Sequence, residues 1–236
     1  FGLWLVLCNL KKLGGSFVVS KILDRDKLRR TVALNIDIFI RTICLVSAFA
    51  YFTAQGASFG NVVLAANAVL LNFQTFMAHA LDGFAHAAES LGGGAIGAKD
   101  NKSFRNVVRT TMFWGVVTAI GFSGVYFWAG PWIIGLLTGI LSVREAATDY
   151  LLWSVAMPMI AVVPYILDGV FLGATRGRTM RNAMIASLGI YIASCFILVP
   201  FWGNHGLWAS LTIFMVARGL TLGLRYPSLV TAIEKR

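Results

Sequence analysis

The sequence predicts an all-α protein, a polytopic membrane helix bundle with six transmembrane helices. Three observations predict it. Of the 236 residues, 58% are hydrophobic and only 13% charged, and the mean hydropathy is +0.75, whereas soluble domains carry about 25% charged residues. Six apolar runs stand at 34–54, 62–91, 107–129, 148–172, 183–202 and 206–224, each near the roughly 20 helical residues that cross a bilayer core. The connections between them alternate in charge. Lys11, Lys12, Lys21, Arg25, Lys27, Arg29 and Arg30 precede the first run. Lys99, Lys102, Arg105 and Arg109 follow the second, Arg176, Arg178 and Arg181 the fourth, and Arg225, Lys235 and Arg236 the last. The other connections hold only Arg144. Basic loops mark the cytoplasmic side, so both ends of the six-helix unit are expected there.

Element by element, residues 1–8 are apolar but too short to span and lack the basic start and cleavage site of a signal peptide. They read as the end of a truncated transmembrane helix, which makes the chain the C-terminal portion of a longer protein. Residues 9–33 read as a basic cytoplasmic linker, 34–224 as the six-helix transmembrane lobe and 225–236 as a cytoplasmic tail. Tyr51, Trp128, Trp132, Trp153, Trp202 and Trp208 sit at the opposite ends of the spans, as aromatics of the outer interface do. The net charge of +10 is spread over short clusters between apolar runs and builds no basic face, so membrane lipids and not nucleic acids are the expected partners. Cys8, Cys44 and Cys195 lie within or at the end of apolar runs and give no disulfide framework.

The second run carries the functional signal. Asn72, Thr75, His79, Asp82, His86 and Glu89 recur at steps of three and four, one continuous polar stripe on a helix. An ionisable group at the bilayer centre costs roughly 2.5 kcal/mol or more, so four of them imply a bundle interior or a water-filled pathway. The plainer reading is hydrogen-bonding glue between helices. His79 and His86 titrate near neutrality and could relay protons, or serve only as hydrogen-bond partners. No metal site is expected, because one helix aims only neighbouring turns at one ion and no Cys lies near.

Counting from the basic ends places Arg41, Asp82 and Asp168 at depths of roughly 16, 15 and 12 Å, near the midplane of a core about 30 Å thick. Pairing Arg41 with Asp82 or Asp168 is the cheapest resolution, with Asp37 one turn from Arg41 and able to share its charge. Pro164, four residues before Asp168, removes a backbone hydrogen bond and is expected to kink the fourth span.

The run Ala80-Leu81-Asp82-Gly83-Phe84-Ala85-His86-Ala87-Ala88-Glu89, followed by Gly94-Ala95-Ile96-Gly97-Ala98-Lys99-Asp100, resembles the eighth helix of the multidrug and toxic compound extrusion (MATE) family, in its DNA-damage-inducible (DinF-like) branch. Asn35-Ile36-Asp37-Ile38-Phe39-Ile40-Arg41-Thr42 resembles that branch's seventh helix. Val143 to Leu151 resembles the start of helix ten, and Leu167-Asp168-Gly169 through Gly173-Ala174-Thr175-Arg176 its cytoplasmic end.

The resemblance implies the second lobe of a twelve-helix antiporter in a bacterial inner membrane. The partner is then an N-terminal six-helix lobe that carries a coupling Asp in its first helix. The exported substrates would be small amphipathic organic compounds, cationic ones among them, exchanged for protons or sodium ions. Several relatives have a sodium-binding carboxylate in helix seven where this chain has Arg41, which favours protons over Na+. The coupling and cavity-lining residues expected are Asp82, Asp168, Arg41, Asp37, Glu89, His79, His86 and Asn72, with no enzymatic activity and no cofactor. Two other functions compete with this one. A lipid-linked oligosaccharide flippase of the same superfamily would need several Arg facing a pyrophosphate, and only Arg41 and Arg218 qualify. An intramembrane serine protease would rest on Gly121-Phe122-Ser123-Gly124 with His205, a short match whose two residues lie at different depths.

Overall fold

The computed structural model describes residues 24–234; the expected truncated helix at 1–8 and most of the linker lie outside them. Every regular element among the described residues is helical: α1 Arg25–Ala57, α2 Asn61–Gly97, α3 Asn101–Leu137, α4 Leu141–Gly173, α5 Gly177–Trp202, α6 Asn204–Gly223 and α7 Tyr226–Glu234. Six spans are long and apolar enough to cross a membrane, the last formed by α6 running on into α7.

Each helix outruns its apolar stretch, because caps and polar first turns extend it beyond the hydrocarbon. Residues 25–33, expected as linker, are the first turns of α1. The Asp24 carboxylate caps this helix, accepting from the backbone N–H of Asp26 and Lys27 at 3.1 and 3.3 Å. Asp100 does the same for α3, accepting from Ser103 N–H at 2.9 Å. Part of the expected tail, 226–234, is helix α7, pinned by Leu229 and Ile233, which are buried in the core. Arg144, the exception to the alternation of basic connections, closes the C-terminus of α3 by donating to the carbonyls of Thr138 and Gly135 at 2.7 and 2.8 Å. Cations belong at that end of a helix dipole, so its departure from the charge alternation has a local cause.

The helix α4 is the hub, packed against α2, α3 and α6, while α1 leans mainly on α5. It runs unbroken through Pro158 and Pro164, and Pro164 is seated where Gly219 of α6 has no side chain. Where α2 crosses α4 the backbones nearly touch: a Cβ on Gly169 would lie 2.0 Å from the Ala85 carbonyl oxygen, and one on Gly173 2.4 Å from that of Glu89. Small residues permit such an approach in membrane bundles. At the opposite end Asn67 and Asn204 exchange hydrogen bonds of 2.7 and 2.9 Å, and Trp208 Nε1 donates to Asn67 at 2.9 Å, tying α2 to α6.

Candidate functional site

The site grows from Asp168, buried on α4. Its Oδ2 accepts from the guanidinium of Arg41 on α1 and from Nη2 of Arg218 on α6, the latter at 2.7 Å. Arg218 is only 2% exposed; it also donates to Met215 Sδ at 3.2 Å and lies over the rings of Tyr165 and Phe214, each centroid 5.7 Å away. The Nε atoms of both arginines are buried without a hydrogen-bond partner. Two cations on one anion leave a net charge of +1 in a largely buried cluster, a costly arrangement unless another negative charge stands close.

Asp82 supplies a candidate. It is half-buried on α2, makes no hydrogen bond or ion pair among the described residues, and lies within electrostatic range of His86, Arg41, His79 and Asp168. Of the two partners open to Arg41 from depth alone, the fold selects Asp168. Asp37 takes a different cation: Arg181 of α5 donates to it at 2.6 Å. It does not share the charge of Arg41.

The polar stripe is not inside the six-helix bundle. Asn72, Thr75, His79 and His86 are exposed, and Asp82 and Glu89 are half-buried. Asn72 and Thr75 donate back to the carbonyls of Ala68 and Leu71 at 3.0 and 2.9 Å, His79 Nδ1 is 2.7 Å from the Thr75 carbonyl, and His86 lies 3.5 Å from Glu89. These contacts all stay within α2, so the stripe does not bind helices of this lobe together. It borders two hollows instead. One of about 660 Å³ lies between α1, α2 and the end of α4 beside His86 and Glu89. One of about 270 Å³ is lined by Phe49, Gln74, Thr75, Tyr165 and Met215, and Gln74, itself buried, leaves its amide nitrogen without a partner.

The sequence marks Arg181 only as one of the basic residues that set topology, and Arg218 only as a phosphate ligand. Both stand in basic or apolar surroundings where no short motif marks a partner. Among the described residues no three His, Cys, Asp or Glu gather as a metal site would require. Ser123 Oγ makes no hydrogen bond, while His205 accepts from Trp153 Nε1 at 3.1 Å and stacks edge-on with Tyr150, so the serine and histidine form no nucleophilic pair.

Fold and site together define a polytopic membrane helix bundle with a charged core and one polar face left uncovered. Comparison with known proteins narrows the class. The chain belongs to the MatE family, whose profile matches residues 38–197. It is 42% identical over 222 residues to DNA damage-inducible protein F of Escherichia coli strain K12, covering 94% of this chain and 48% of that protein. To the chloroplastic protein DETOXIFICATION 44 of Arabidopsis thaliana it is 26% identical over 180 residues, 75% of this chain and 34% of the relative. The fold matches the bent form of the Vibrio cholerae MATE transporter VcmN with a TM-score of 0.87 at 16% identity, over 99% of this chain and 54% of that one. The chain thus spans about half the length of DNA damage-inducible protein F and of VcmN.

Proposed function

We propose that this chain works as the second lobe of a secondary antiporter that exports small amphipathic compounds, cationic ones among them, across a bacterial inner membrane in exchange for protons. The observation that carries the reading is Asp82: an ionisable, unpaired carboxylate on the uncovered polar face, within electrostatic range of the Arg41–Asp168–Arg218 cluster. Ionised, Asp82 brings the four charges to zero. Protonated, it leaves the cluster at +1, which the low-dielectric core disfavours, so proton binding favours a conformation in which Arg41 meets water or another anion. Protonation and facing state are then linked. Protons are favoured over sodium because two guanidinium cations already meet Asp168 and repel a further cation there. The same pairing counts against a flippase, since neither arginine is left to hold a pyrophosphate.

The uncovered stripe suits the face towards an N-terminal six-helix lobe, with substrate in the cavity between them. The basic connections support a topology with both ends of the unit in the cytoplasm. The test is Asp82→Asn in the full-length protein, which keeps size and much hydrogen bonding while removing the charge. Expression and melting temperature are expected to hold, and dye extrusion from vesicles under an imposed pH gradient to fall severalfold or more. Normal pH-driven extrusion by this variant refutes a coupling role for Asp82.

A further inference from the structure

We infer that the basic end of this lobe holds an anionic phospholipid, its headgroup in a cleft between α5, α6 and α7 and an acyl chain in the apolar groove beside it. The cleft, about 460 Å³, is lined by Arg178, Thr179, Asn182, Leu224, Arg225 and Ser228 among others, and by no carboxylate. The guanidinium groups of Arg178 and Arg225 are exposed and make no ion pair or hydrogen bond among the described residues. Asn182 turns its carbonyl oxygen to Arg181, accepting from Nε and Nη2 at 3.1 and 3.0 Å. Its amide nitrogen is thereby left to donate elsewhere. The nearest carboxylate of α1, Asp37, is neutralised by that same Arg181 at 2.6 Å. Two cations and a neutral donor, with no competing anion among the described residues of the cleft, form a receptor for one phosphate.

What makes the ligand a lipid is the second hollow. Leu224, 79% exposed, also lines a groove of about 500 Å³ formed by Met159, Val163, Val216 and Leu220 with glycines 219 and 223. The groove is almost wholly apolar, and it meets the cleft at Leu224. Met159 and Val163 stand nine and five residues before Asp168, which at 100° per residue puts them on the opposite side of α4 from the charged cluster. The groove therefore faces away from the polar stripe, where a second lobe is proposed to sit, and towards bilayer. A phosphate receptor opening onto a bilayer-facing apolar groove fits a phosphodiester with acyl chains and not a soluble phosphate, and basic pockets between helices are where such headgroups bind.

Native mass spectrometry of the purified full-length protein, titrated with phosphatidylglycerol or phosphatidylcholine of identical acyl chains, tests this. Phosphatidylglycerol is expected to bind about thirtyfold more tightly, the order that two arginines at a membrane surface give. The double variant R178Q/R225Q should reduce that preference to about twofold or less, whereas the charge-matched R29Q/K102Q, on exposed turns outside the cleft, should keep it. If the first variant fails to fold, A186D, which places a carboxylate at an exposed position on the wall of the cleft, should abolish the preference in its stead. Equal binding of both lipids by the wild type, or a preference that survives R178Q/R225Q (or A186D, where the double variant does not fold), overturns the inference. Displacement of the lipid by millimolar inorganic phosphate also overturns it, because the cleft is then a site for a soluble anion.

Discussion

Asp168 receives two guanidinium groups on a single carboxylate oxygen, so the three side chains are unequal in what their loss would do. Removing the carboxylate strands two cations, one of them wholly buried, whereas removing Arg218 leaves a simple pair between Asp168 and Arg41. Breaking a buried ion pair from one side costs about 3–5 kcal/mol, and an apolar replacement of similar shape costs far less. Asp168→Ala is therefore expected to destabilise the full-length protein by at least that amount, and Arg218→Met by less than half of it, in thermal unfolding followed in detergent. The reverse order would show that Arg218 is held by Tyr165, Phe214 and Met215 and not by charge. That Asp168 has a cation at its depth is legible in the sequence; that it has two is not, since Arg218 lies 50 residues on and Arg41 127 residues back.

Among the helices, the contact between α2 and α4 is the most demanding. A methyl group on Gly169 would fall 2.0 Å from a backbone oxygen that cannot move without shifting α2, whereas one on Gly83, on the same α2, would meet nothing within 4 Å. Gly169→Ala should cost at least the roughly 1–3 kcal/mol of an overpacked core. Gly83→Ala should change stability by no more than about 0.5 kcal/mol. Melting temperatures of the two variants check the contrast, and similar values would mean that the crossing is looser than its geometry. The sequence marks both glycines equally, because a glycine's neighbours across a helix crossing are set by azimuth and not by spacing. Helix ends also reach beyond the apolar runs: the Asp24 and Asp100 caps are readable signals, but they lie in basic stretches that hydropathy assigns to loops.

For the molecule as a whole, the alternation of basic turns makes a topology that chemistry can test. Single cysteines at Ser58, Ser142 and Trp202 should react with an impermeant maleimide in intact cells, and those at Lys102 and Arg176 only after permeabilisation. Labelling of positions 102 and 142 from the same side would overturn the orientation. The buried Cys44 and Cys195 should stay silent in either case. The polar stripe takes its meaning at this scale too, since its side chains bond within α2 and leave an ionisable face that a six-helix unit by itself does not cover.

The sequence alone determined that this is an all-helical membrane bundle of six spans, in what order they run, and which family it belongs to. Those properties are carried by local patterns: the length of apolar runs, the position of basic turns, and the short motifs around Asp82, Arg41 and Asp168. Only the tertiary structure decided which charges meet. Depth along a span follows from counting residues, but the direction a side chain takes around its helix, and the helix it then faces, are fixed by packing. Packing gave Arg41 and Arg218 to Asp168, gave Arg181 to Asp37, and left Asp82 unpaired.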